Sequence, residues 1–163
     1  MADKKYAVIR TDLMSGTNVA ADLVSLRVYN DANEMIEVEN GVIVELVELE
    51  EGQREVWKAK LATASSDKEM CVVVATPEVM YDERKRNLDE FVNEKGAICR
   101  GYHLRRANIF SLTPEGFVDG SAPAVGTEVA VGANGKLTAG SGFGKVIHVE
   151  VAGRYTYHAI RIA

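Results

Sequence analysis

The chemically richest strings in the sequence are Gly140-Ser-Gly-Phe-Gly-Lys145, the three histidines His103, His148 and His158, and the cysteines Cys71 and Cys99. A phosphate-binding loop needs Gly, four residues, then Gly-Lys and a hydroxyl. Here Ala139 stands at the first Gly and Val146 at the hydroxyl. The string also joins strand to strand, so no helix N-terminus receives a phosphate. The dinucleotide fingerprint fails because Lys145 occupies its third Gly. A glycine-rich hairpin or linker is the better reading.

Metal and nucleophile chemistry find no more support. The histidines form no i, i+4 pair, and neither CxxC nor HExxH occurs. His148 and His158 are expected near each other across a final hairpin, and two imidazoles are only half a site. There is no G-x-S-x-G elbow, and neither Cys sits in an activating string. Carboxylates are plentiful, but nothing singles out two of them as an acid/base pair. We therefore expect no enzyme, no cofactor and no metal.

The elements that would position any site are short strands. Tyr6–Arg10, Leu23–Tyr29, Glu55–Lys60, Cys71–Ala75, Ile98–Leu104, Asn108–Leu112 and Thr127–Val131 read as β. Met35–Glu39 alternates apolar with acidic residues. Asn40-Gly41 then predicts a type I′ hairpin returning as Val42–Val47. Glu51-Gly52 and Asn134-Gly135 are further turns. Lys145–Val151 and Arg154–Ile162 form a closing hairpin. Trp57 reads as a core or lobe-interface anchor. Between them, Tyr81–Glu94 is highly charged, and Leu88, Phe91 and Val92 fall at i, i+3, i+4. That spacing fits a short helix, with an extended excursion as the alternative.

The expected fold is mainly β: small antiparallel β-barrel or sandwich lobes with one short helical or irregular insert. A split near Gly96 gives an N-terminal lobe over 1–95, with its insert at 77–95, and a C-terminal lobe over 96–163. One composite domain is the alternative.

The chain has 163 residues, 47% hydrophobic and 26% charged, with formal net charge −5. This is globular, not disordered, composition. No apolar run reaches the roughly 20 residues of a membrane-spanning helix, and no apolar signal core follows Lys4-Lys5. The acidic balance argues against nucleic acid as a partner.

The order of several strings resembles a known family. These are Asn40–Val44, Leu49–Val56, Ala75–Arg84, Arg100–Leu104, Gly144–Ile147 and Gly153–Tyr157. Together they resemble the head decoration, or cement, proteins of tailed bacteriophages and prophages, over nearly the whole chain. The resemblance implies a structural virion protein, made in the host bacterial cytoplasm and placed on the capsid exterior. Such a protein binds the mature shell and stabilises it by bridging major capsid subunits. It acts alone or as a homo-oligomer, with a trimer favoured. On that reading two segments are contact candidates. One is the N-terminal stretch with Lys4, Lys5, Tyr6, Val8, Ile9 and Arg10, adding an edge strand to a capsid sheet. Pairing of Tyr6–Arg10 within its own domain is the alternative. The other is the charged excursion with Tyr81, Arg84, Lys85 and Arg86. A head–tail connector, a tail protein or a carbohydrate-binding β module (with Tyr102, Tyr155 and Tyr157 as its aromatics) are the competing functions.

Overall fold

A computed structural model describes residues 6–10, 22–82, 84–85 and 87–163. Lys4, Lys5 and Arg86 lie outside the described residues. The fold is mainly β, with 3-10 turns and no α-helix among the described residues. Among the described residues the strands are, in chain order, β1 Ile9–Arg10, β2 Leu23–Tyr29, β3 Ile43–Leu49, β4 Val56–Leu61, β5 Cys71–Val74, β6 Cys99–His103, β7 Ile109–Leu112, β8 Glu128–Val131, β9 Leu137–Ala139, β10 Gly144–Ala152 and β11 Tyr155–Ile162.

Two sheets result. Strands β2-β4-β3-β5-β6 close into a five-stranded barrel. Within it β2 and β4 run parallel, and the other pairs are antiparallel. The second sheet is antiparallel, in the order β1-β7-β11-β10-β8-β9. The barrel takes β6 from beyond residue 95, and the second sheet takes β1 from the N-terminal stretch.

Side-chain alternation explains how the sheets meet. Successive residues of a strand face opposite sides. Val72 and Val74 belong to the cluster filling the barrel, with Leu26, Val28, Val44 and Leu46. Cys71 and Val73 belong to a second cluster with Phe110, Leu112, Val129, Val146 and Ile160 of the other sheet, and with Phe117, which bridges to Leu137. Both faces of β5 are thus covered, which is why Cys71–Val74 is an unbroken apolar run. Trp57 is partly buried against the barrel cluster.

The Asn-Gly expectation holds at one site and fails at the other. At Asn134-Gly135 both φ are positive, 56° and 69°, and the turn joins β8 to β9. At Asn40-Gly41 there is no hairpin. Gly41 does take φ 86°, but β3 pairs with β4 and β5. Residues 35–39 make only single bridges, Met35 to Tyr29 and Val38 to Asn93. Non-local partners outcompete the local turn here, because the barrel gives β3 two neighbours at once.

The helix expected from Leu88, Phe91 and Val92 is replaced by one 3-10 turn, Leu88–Glu90. Asn87 N–H donates to Glu90 Oε2 at 3.0 Å, and Phe91 returns to extended backbone with φ −79° and ψ 134°. Phe91 is buried while Leu88 is exposed, so no apolar stripe forms. The insert is irregular, the second of the two forms expected for it.

Candidate functional site

The most exposed apolar surface outside regular structure belongs to the insert between β5 and β6. It is held at three places. Asn40, buried beneath it, donates from Nδ2 to Thr76 O at 2.8 Å and accepts from Thr76 N–H through Oδ1 at 3.0 Å. Asn93 Nδ2 donates to Val38 O at 3.0 Å and to Asn40 Oδ1 at 3.1 Å. These amides tie down both the outgoing and the returning arm with buried hydrogen bonds. The second anchor is Asp89, which is 3% exposed. It accepts from Tyr155 Oη at 2.8 Å and from Arg154 Nη2 at 3.0 Å. The third is Arg27, whose Nε donates to Gly96 O at 2.9 Å. Arg27 is itself fixed by buried Glu50, which also accepts from Tyr29 Oη.

Between these anchors the insert projects. Tyr81 is 94% exposed, Val79 59% and Ile98 50%. They line a groove of about 500 Å³ whose inner side is formed by Phe91 and Val92. Asp82 and Arg84 close on each other at the tip, with Nε–Oδ1 3.0 Å and Nη2–Oδ2 2.9 Å. The guanidinium holds the Asp82 carboxyl below its usual value. Lys85 is exposed beside them.

The N-terminal candidates are placed differently. Strand β1 pairs with β7, Ile9 opposite Leu112 and Arg10 opposite Ser111. Ile9 is buried in the shared core, and Val8 is buried against Tyr155 and Tyr157. Ala7 N–H donates to Glu39 Oε2 at 2.8 Å and Val8 N–H to Thr113 Oγ1 at 3.1 Å. Pairing within its own domain is therefore what the segment does. Val8 and Ile9 contribute to the chain's own packing and are not surface. Arg10 reaches Glu150 at 3.4 Å and lies over the Tyr157 ring, and Tyr6 is half-buried.

The remaining chemistry-bearing groups are built into the fold. Burial pushes both thiols up to about 11; Glu45 and Asp67 add to this at Cys71, and Arg27 opposes it at Cys99. His158 is buried edge-on to Phe117, with centroids 5.7 Å apart. Burial lowers its pKa, and the Pro123 backbone opposes this in part. Burial also lowers the pKa of His103, with Arg105 adding to the effect. His103 borders a cavity of about 760 Å³ with Lys68, Arg105 and Arg106. Arg105 there is already paired with buried Asp22. Tyr102, Tyr155 and Tyr157 are buried, which removes them as an exposed glycan platform.

The sequence marked Tyr81, Arg84 and Lys85 but not the groove behind them. Val79, Ile98, Phe91 and Val92 are dispersed along the chain, and the Asn40, Asp89 and Arg27 anchors gather them. The buried Asn and Asp residues carried no local signal as anchors. Compared with known proteins, the chain matches no family model, no curated protein and no solved structure.

Proposed function

We propose that this chain is a structural protein of a tailed-phage virion. It binds the outer surface of the mature capsid and stabilises the shell by bridging major capsid subunits. The observation that carries the reading is the insert: an exposed Tyr81 beside an apolar groove, fixed to a β scaffold by buried Asn40, Asn93 and Asp89. The resemblance to head decoration proteins supports the same role. A ligand that binds only the expanded lattice stabilises that lattice by mass action, and symmetry multiplies weak contacts into avidity. The net charge of −5 favours solubility of the free protein before docking.

Co-sedimentation of the purified chain with undecorated mature heads and with procapsids tests this. Saturable binding to mature heads, with a raised head melting temperature, supports the role. A folded, monodisperse chain that binds neither particle discards it.

A further inference from the structure

Strand β10 is nine residues long, but its two sides are not equally paired. On one side β11 accompanies it from Gly144 to Ala152. On the other, β8 pairs only with Gly144 and Lys145. The last bonds on that side are Val146 N–H to Thr127 O at 2.9 Å and Gly126 N–H to Val146 O at 2.8 Å. Beyond Val146, no strand of the described residues pairs with this side of β10.

The direction of the free groups follows from the turn. Gly153-Arg154 closes on the Ala152–Tyr155 pair. Antiparallel alternation then turns the main chain of Ala152, Glu150 and His148 toward β11, and that of Val151 and Val149 away from it. A register shift between Val146 and His148 confines the regular open stretch to His148–Ala152. Apolar side chains mark the same edge: Val151 is 76% exposed and Ile147 39%. Natural sheet edges are usually covered or charged.

We infer that this edge pairs with the same edge of a second copy, β10 against β10 in antiparallel register, giving a two-fold dimer with one continuous sheet. The sequence of the edge is complementary to itself in one register. With Val149 opposite its own copy, the outward main-chain groups of both Val149 residues meet. His148 then lies opposite Glu150 of the other copy, twice by symmetry, so an imidazole faces a carboxylate that also holds Arg10 of its own chain at 3.4 Å, and no like charges stand directly opposite. Antiparallel pairing also brings the Ile147 end of one copy beside the Val151 end of the other. A shift by one residue would oppose the two Glu150 carboxylates, so charge selects the register. The inference stands independently of the capsid reading, because it rests on β10 and not on the insert.

Sedimentation equilibrium of the full chain over a concentration series tests it, with thermal melts to verify folding. A concentration-dependent monomer–dimer equilibrium is expected. His148→Glu opposes two carboxylates twice and should weaken the dimer by about tenfold or more. Adding Glu150→Lys to that variant should restore it. Val151→Lys, at a position that is mostly solvent, should weaken the dimer without lowering the melting temperature. A chain that stays monomeric to about 100 μM overturns the inference, as does a dimer indifferent to these three variants. A monomer that loses head binding on Val151→Lys overturns it too, and assigns the edge to a strand of the capsid.

Discussion

Asp89 and Tyr155 are 66 residues apart in sequence, yet the Tyr155 hydroxyl donates to Asp89 Oδ1 at 2.8 Å, ties the insert to the last hairpin, and lies within a buried setting. Asp89→Ala removes the acceptor for both Tyr155 and Arg154. The expected cost is about 1–3 kcal/mol of global stability. Native-state hydrogen exchange should quicken across residues 77–95, while barrel strands β3 and β5 keep their protection. Equal loss of protection in the barrel would mean that Asp89 supports the whole fold rather than the insert.

Tyr81 makes the opposite case. It is almost wholly solvated, so Tyr81→Ala should change stability by less than about 0.5 kcal/mol. Under the proposed function it should nevertheless weaken binding to mature heads, since exposed aromatics dominate contact surfaces. Unchanged binding by this variant would remove the insert as the docking surface.

His158 sets a pH dependence. Burial depresses its pKa below the ordinary 6.5, so on acidification the unfolded chain takes up the proton first. Its contribution to stability is present above about pH 6.5 and is lost as pH falls toward the folded value. Stability from urea melts should therefore decline below pH 6.5, by no more than about 1.4 kcal/mol per pH unit from this group. His103 shifts the same way. His158→Phe should flatten the slope without abolishing it.

Gly135 and Gly52 separate two costs of adding a methyl group. Both have positive φ, 69° and 76°. A Cβ at Gly52 would meet nothing within 4 Å, whereas one at Gly135 would lie 2.2 Å from Ile43 O. Gly52→Ala should cost about 1 kcal/mol, the price of the backbone conformation alone. Gly135→Ala forces the β8–β9 turn away from β3 and should cost several-fold more, read as a difference in denaturant midpoint.

Cys71 and Cys99 are both buried with pKa near 11. At pH 8 neither should react with a water-soluble disulfide reagent in the native state. Both should react once urea unfolds the chain. Fast labelling of either in the native chain would reveal local opening at β5 or β6.

Much of the strand content was legible because it is local. Leu23–Tyr29 matches β2 residue for residue, and the closing hairpin turns at Gly153 as its turn residues require. A run with β-branched residues and a glycine break carries that information within ten residues. Partner choice does not. Alternation at Met35–Glu39 and the Asn40-Gly41 pair were sound local signals for a hairpin. The chain instead sends β3 to β4 and β5, because closing the barrel buries Val44 and Leu46 more fully than a two-stranded ribbon would.

The sequence by itself determined that this is a mainly β protein whose charged insert departs from the strands. Strand propensity, turn residues and charge density act over short distances and survive in any tertiary setting. Only the tertiary structure decided which side chains face out. Val8 and Ile9 became core because β1 pairs with β7, and Tyr81 stayed exposed because Asn40, Asn93 and Asp89 hold the arms on either side of it. Those placements depend on hydrogen bonds between residues dozens of positions apart, which no local pattern encodes.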